Sequence, residues 1–598
     1  MESQSHPQAQ LSRSTCVTAY DIGTEVALQG NLHTSTTRTN LYRRIGSPWP
    51  LDLCRIELDA VDAYHKLEDS GCSRQRYAVH LVTATSEKEI DMKSTFRVLL
   101  FLVVGLLATS THAQYGSTPI KHVVVIFQEN RTPDNLFQGL CTANGGVPGC
   151  SATGSSTYDI VSNYLNADGQ TVPLTPVGLA TNFDLDHSHG GPKLNGTISG
   201  FDFQFKNQGI SGKPGVNVPA LCGANIFGCT VPANNFSQFM YVYNSPVTNT
   251  DGSKGGLLDP YITMATTYGW ANHMYQTNQG PSFPAHQFIF GATSAPTATD
   301  DMLGIFVSEN GPGTSYGCGA GESIQLIRPN GSGEPPFGTE TPGDRTVECF
   351  DRNAMDYLFS LPTPKITWTY YAEGQSSLWV APNSLANICM PLNGVCTGPD
   401  WVKGESNGYV DTKPPDVLND IANCALPQVS WITPAGQYSD HPINSGQGPS
   451  WVAAIVNAIG NNISCDDDTG YWKDTVIFIT WDDWGGWYDH VPPVFQTGAN
   501  QRDYQLGFRV PLLVVSAYSP KTGYISNEKC DFGSIVKGIE GIFGLGSLGF
   551  ADARATNDLH EFFNFHRIPT PYKTIPAPLG ANFFTTTAAT EVEPPDTD

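Results

Sequence analysis

Asp474–Pro493 reads DTVIFITWDDWGGWYDHVPP, and the fold is decided there. Thr475–Thr480 is an apolar, β-branched run of strand length, apolar on both faces. Such a run predicts a central strand of a sheet covered on both sides, the setting in which strands run parallel. It stops abruptly at Trp481-Asp482-Asp483. Adjacent carboxylates repel each other, and burying them is costly unless a cation or donor compensates. Open α/β sheets bind ligands just beyond the carboxyl ends of their strands, so a metal ion is the expected compensator. Gly485-Gly486 then lets the backbone turn sharply, and Asp489-His490 precedes a stiff Pro492-Pro493 exit. An acidic surface turn has little use for Trp481, Trp484, Trp487 and Tyr488 together, so the stretch reads as a functional site.

The pattern recurs on either side. Gln428–Thr433 predicts a strand, followed by a loop carrying Asp440-His441-Pro442. Gly448–Ile459 predicts an amphipathic helix leading back into the acidic strand, and this β-loop-α-β order implies a right-handed parallel crossover. Far upstream, Ile120–Phe127 (IKHVVVIF) is a second buried-strand run, ending in Gln128-Glu129-Asn130-Arg131-Thr132. Thr132 can cap a helix opened by Pro133 and Asp134. Asn130 also begins a glycosylation sequon, as do Asn195, Asn235, Asn330 and Asn462; at Asn130 the match reads as accidental, because that residue falls inside the site. Lys365–Tyr371 and Gly507–Ser516 predict further strands, Asp356–Phe359 and Ser534–Phe543 helices, and 381–415 a polar, Pro-rich insertion. The expected class is α/β, with a mostly parallel central sheet and long loop insertions.

Two other stretches carry reactive side chains. Asp184-Leu185-Asp186-His187-Ser188-His189-Gly190 gathers carboxylates and histidines, and is equally readable as a solvated turn or as a metal or phosphate contact. Gly280-Pro281-Ser282-Phe283-Pro284-Ala285-His286 places Ser282 where a loop enters an apolar helix, a capping position. Unpaired N–H groups and the positive end of the helix dipole there also suit a nucleophile that holds a phosphoryl group. No G-x-S-x-G elbow is present, which disfavours a Ser-His-Asp acyl hydrolase.

With 598 residues, 15% charged and 40% hydrophobic, the chain is globular rather than disordered. Its net charge of -24 with 32 basic residues makes it a poor partner for nucleic acid, whose affinity comes mostly from Lys and Arg. Met92 opens MKSTFRVLLFLVVGLLATSTHAQ, which has the basic start, short apolar core and small-residue cleavage site of a signal peptide over 92–113. The expectation is a start at Met92, with 1–91 a non-native, disordered upstream extension, a domain over 114–575 and a disordered acidic tail over 576–598. The alternative, a membrane anchor behind a cytoplasmic domain, suffers from an apolar run shorter than the roughly 20 residues a span needs. Export to the periplasm or medium agrees with the cysteines. Cys141/Cys150, Cys222/Cys229 and Cys389/Cys396 suit local disulfides, Cys318/Cys349 and Cys424/Cys465 are weaker pairs, and Cys530 is left over. No C-x-x-C pair suggests structural zinc.

In order along the chain, IKHVVVIFQENRTPDNLF, DLDHSHGG, GPSFPAHQFIFGAT, SDHP, VIFITWDDWGGWYDHVPP and GFRVPLLVVSAYS resemble the bacterial phosphoesterase family of acid phosphatases and phospholipases C. More remotely they resemble the alkaline phosphatase superfamily. The resemblance implies a three-layer α/β/α fold and a divalent cation, with Ca, Mg or Mn suited to hard oxygen donors. It implies Glu129, Asn130, Ser282, Asp482 and Asp483 as metal ligands and Ser282 as the nucleophile. It implies His187 and His441 as phosphate-contacting or acid/base groups, with His490 and His189 in support. Thr132-Pro133 departs from the family's usual serine and aromatic. Asp482-Asp483 and Ser282 look more like the acid phosphatase branch than the phospholipase branch. The implied activity is hydrolysis of a phosphate ester, a monoester first and a phospholipid second, the latter implying transient contact with a lipid surface. A catalytically dead binding protein would be expected to lose ligands, and every such position is filled here.

Overall fold

The computed structural model describes residues 16–19, 31–33, 36–44, 51–59, 118–142, 157–165, 171–180, 185, 187, 240–307, 310, 315–320, 324–328, 341–442, 445–465, 470–497 and 503–587. The chain divides into two compact units, residues 1–106 and 107–598. In the first, Cys16–Ala19, Asn31–His33, Thr36–Arg44 and Leu51–Asp59 pair antiparallel in a four-stranded sheet. The predicted signal peptide, 92–113, lies outside the described residues. Among the described residues no helix is long and apolar enough to cross a membrane.

The second unit is built on an eight-stranded sheet. Its strands are β1 (His122–Gln128), β2 (Gly269–Tyr275), β3 (Trp368–Tyr371), β4 (Gly408–Asp411), β5 (Val429–Ile432), β6 (Thr475–Trp481), β7 (Leu512–Ser516) and β8 (Tyr524–Asp531), in the spatial order β4-β3-β5-β1-β6-β7-β2-β8. All neighbours are parallel except β7, which runs antiparallel to both β6 and β2. The predicted strand over Gly507–Ser516 thus forms only from Leu512, and in the reverse sense. The insertion expected over 381–415 is also corrected in part, because β4 within it adds an edge strand to the main sheet.

Every residue of β1 and β6 is buried, so both faces of the sheet centre are covered. The cover is helical. Helix α1 is Pro133–Leu136, α2 Asp259–Thr267, α3 Ser282–Gly291, α4 Asp416–Ala422, α5 Gly448–Asn461, α6 Phe532–Phe543 and α7 Ala581–Thr586. Six of them pack in two sets, α3 against α6, and α5 against α2, α4 and α7. This is the layered α/β architecture expected. Local signals set the helix limits: Asp531 and Ser534 form a capping box at the start of α6, and Gly544 ends it at φ 63°. The C-terminal expectation is corrected too. Residues 576–587 are placed, and Phe584 of α7 is buried against Tyr438 and Trp451.

Disulfides join Cys318 to Cys349, Cys389 to Cys396 and Cys424 to Cys465, so both of the weaker pairings form. Cys141 is disulfide-bonded, while Cys150, Cys222 and Cys229 lie outside the described residues. Cys530 is a buried free thiol.

Candidate active site

The site begins with strand register. β1 and β6 pair in step from His122↔Thr475 to Gln128↔Trp481, so both run out of sheet at the same level. Glu129 and Asp482 therefore emerge side by side. The backbone ladder continues one step further, with Asp482 N–H donating to Gln128 O at 2.9 Å and Arg131 N–H to Asp483 O at 3.0 Å. Between them Asn130 turns into the left-handed region at φ 57°, which asparagine tolerates better than most side chains. Its N–H donates to Asp482 Oδ1 at 2.9 Å. Gly485, at φ 59°, leaves the room for this turn, since a Cβ there would lie 2.5 Å from the Asn130 Cβ.

The third strand end supplies the serine. Gln276, just past β2, accepts from Trp484 N–H at 2.8 Å and donates to Gly280 O at 3.1 Å, tying the acidic turn to the serine loop. Ser282 is the first residue of α3, and Pro281 holds the cap position. The expected capping role is thereby corrected. The hydroxyl lies 3.4 Å from Glu129 Oε2 and 3.3 Å from Asp483 Oδ2. One turn on, His286 faces the same way, its Nε2 3.1 Å from Glu129 Oε1 and 3.8 Å from Asp482 Oδ2. His286 had no role in the sequence reading. The signal was its i+4 spacing from Ser282, which puts both on one helix face.

Glu129, Asn130, Ser282, His286, Asp482 and Asp483 are all fully buried. Burial drives the His286 pKa down to about 4, against a smaller upward pull from Asp482, so at neutral pH it adds no positive charge. Burial pushes Asp482 up, but hydrogen bonding with Glu129, Ser282 and the Asn130 N–H outweighs it and holds it below the ordinary carboxylate range. Asn130 Oδ1 and Asp482 Oδ2 are buried oxygens without a hydrogen-bond partner. Two orphaned oxygens among three buried carboxylates fit a hard divalent cation, because desolvated negative charge otherwise goes uncompensated. The atoms of Glu129, His286 and Asp482 lie close enough together to share one ion.

Three of the predicted histidines fall differently. His187 is fully buried; its Nδ1 donates to Leu185 O at 2.6 Å, which turns Nε2 toward Asn130 Nδ2 at 3.2 Å and Asp483 Oδ2 at 3.7 Å. His441 is buried, with Nδ1 donating to Pro442 O at 2.7 Å. Its ring lies 6.0 Å from that of Trp379, which in turn stacks 6.4 Å from His286, so one indole links it to the carboxylate group. His490 belongs to a neighbouring ion network. It bonds Asp134 at 2.7 Å and Asp159 at 3.2 Å, while Arg509 grips Asp489 at 2.8 Å and 3.0 Å. His189 lies outside the described residues.

The model of the Phosphoesterase family matches residues 120–546. "Phospholipase C B" of Mycobacterium tuberculosis is 25% identical over 83% of this chain and 88% of its own length. "Non-hemolytic phospholipase C" of Pseudomonas aeruginosa is 27% identical over 35% of this chain and 33% of its own. Among solved structures, the lipoteichoic acid synthase LtaP from Listeria monocytogenes overlays 52% of this chain and 72% of its own at 9% identity, with a TM-score of 0.26, too loose a match to carry an argument.

Proposed function

The chain belongs to the Phosphoesterase family and is a hydrolase of phosphate esters, and from that premise we propose that it works through Ser282 as nucleophile beside a divalent cation. The observation that carries this reading is the Ser282 hydroxyl, set at the start of α3 between the Glu129 and Asp483 carboxylates. Glu129, Asn130, Asp482 and Asp483 would hold the ion, which when bound lowers the pKa of a hydroxyl and offsets charge on phosphoryl oxygens.

The chain's own groups divide the remaining work. The Ser282 proton leaves along its hydrogen bond toward Asp483 as Oγ attacks phosphorus. The ester P–O bond breaks, a phosphoserine forms, and His441 protonates the departing alkoxide. Water then attacks the phosphoserine and passes a proton to His441; the Oγ–P bond breaks, Oγ takes back the proton held by Asp483, and the phosphate product leaves. His187 Nε2, aimed at Asn130 and Asp483, would contact a phosphoryl oxygen only when it carries a proton in addition to the Nδ1–H given to Leu185 O. Full burial of these residues excludes bulk water and strengthens each electrostatic contact.

A phosphomonoester is the first substrate proposed, on the acid phosphatase-like Asp482-Asp483 and Ser282. A phospholipid diester stands equal to it, because a relative matched over most of its length is named phospholipase C. The disulfides favour work outside the reducing cytoplasm. The test is a panel of aryl phosphate and phosphatidylcholine, with metal content measured on the same protein. Ser282→Ala is expected to lose at least about 100-fold on the preferred substrate. Unchanged turnover by a folded variant would end the nucleophile assignment, and preferred release of phosphocholine would settle the substrate for the diester.

A further inference from the structure

The Asp440-His441-Pro442 loop contributes more than its histidine. Asp440 is fully buried, and its polar atoms reach the ends of both strands that present Glu129 and Asp482. Its N–H donates to Gln128 Oε1 at 2.8 Å, at the end of β1 and one residue before Glu129. Its carbonyl accepts from Arg131 Nε at 2.8 Å, one residue after Asn130. Its Oδ2 accepts from Trp481 Nε1 at 3.0 Å, at the end of β6 and one residue before Asp482, and from Tyr261 Oη of α2 at 2.8 Å. Ser439 Oγ accepts from the His441 N–H at 3.3 Å and donates to Gly436 O, which fixes the backbone on the other side. His441 thus follows a residue bonded to both strand ends that present the carboxylates. A buried carboxylate is expensive to keep, and the Arg131 guanidinium bonds the Asp440 backbone carbonyl rather than its carboxylate oxygens.

We propose that Asp440 is a positioning residue, whose hydrogen bonds to Gln128, Trp481 and Tyr261 set the place of His441 relative to the strand ends holding Glu129 and Asp482. The proposal rests on the reading of His441 as the group that protonates the leaving alkoxide, and the test separates the two. Asp440→Ala, Asp440→Asn, His441→Ala and the double variant Asp440→Ala/His441→Ala are compared on an aryl and an alkyl ester of the phosphate class the enzyme turns over. With a nitrophenyl ester as the aryl substrate, the leaving alkoxide needs a proton and the nitrophenolate does not, so His441→Ala should lose about 100-fold or more on the alkyl ester and far less on the aryl one. Asp440→Ala should show the same asymmetry at about one-tenth of that size. Asp440→Asn, which keeps an acceptor for Trp481 and Tyr261, should recover most of the alkyl-ester rate.

The double variant decides the matter. If Asp440 acts through His441, removing it costs nothing further once His441 is gone. An equal loss from Asp440→Ala in both backgrounds would overturn the proposal, as would an unchanged rate in the single variant. If His441→Ala shows no preference between leaving groups, the acid role of His441 falls. The positioning of His441 is then judged by the double variant alone. Thermal melts of all four proteins identify a variant that fails to fold, and for such a case Trp481→Phe, which removes one donor to Asp440, repeats the cycle.

Discussion

The carboxylate that the site can least spare for chemistry is the one the apo fold would gain by losing. Glu129 is fully buried, within 3.4 Å of the serine and 3.1 Å of a histidine that burial keeps neutral. With Asp482 and Asp483 it concentrates negative charge where water cannot screen it, a cost borne for function. Glu129→Gln keeps the shape and removes one charge. Activity should fall by at least about 100-fold, since a site short of one carboxylate would hold the cation that offsets phosphoryl charge more weakly. The melting temperature of the metal-stripped variant should nevertheless exceed that of the stripped wild type. A chelator should lower the wild-type melting temperature more than that of the variant, because binding to the folded state adds stability that the variant has largely lost. Calorimetry with and without chelator checks this; equal chelator shifts in both proteins would remove Glu129 from the ion's ligands.

At the scale of elements, the site depends on two strands ending in step and on the turn that follows. Gly485 is the tightest point of that turn. An alanine there pays roughly 1–2 kcal/mol for the left-handed backbone alone. It also drives a Cβ to 2.5 Å from Asn130 Cβ and 2.6 Å from Asn130 O. Gly485→Ala is therefore expected to lower stability by more than Gly544→Ala, where φ is 63° and nothing lies within 4 Å of the new Cβ. It should abolish activity as well, whereas the second variant should not. Paired denaturant melts and rate measurements on the two variants check both statements. These elements also mark what could be read in advance. β1 and β6 were legible because a central strand is apolar on both faces and changes character abruptly where it leaves the sheet. β2 was not, because GWANHMY mixes polar and apolar residues without a period, and β4 was hidden in a stretch rich in Gly and Pro. His286 escaped because a histidine in an apolar helix resembles a core residue until the partner strand is in place. Asp440 was visible as a polar residue past a strand end, but its partners, Trp481, Tyr261 and Gln128, are distant in sequence and no local pattern names them.

The whole molecule should carry a pH dependence set away from the serine. His490 is largely buried between Asp134 and Asp159; burial opposes its charge, but the two carboxylates win and raise its pKa from 6.5 to about 10. A group whose pKa rises on folding binds its proton more tightly in the native state, so its contribution is complete below pH 6.5 and is lost as pH climbs through about 10. Glu540 acts in the same sense. Burial, with Asp552 nearby, lifts its pKa from 4.5 to about 9, so the native state prefers it protonated and loses stability as pH rises across that interval. Between pH 6.5 and 9 the two slopes add, each limited to about 1.4 kcal/mol per pH unit. Unfolding free energy measured by denaturant from pH 6 to 10 should therefore fall toward the alkaline end. Glu540→Gln should flatten the curve below pH 9 and raise stability at pH 8, because it removes a carboxyl that ionises unwillingly. His490→Asn should flatten the curve up to about pH 10 but lower stability at pH 6, because it removes a favourable cation from between two carboxylates. Opposite signs at the two ends of the range are what distinguish a buried acid from a paired base, and a wild-type curve that rises from pH 7 to 9 would contradict both assignments.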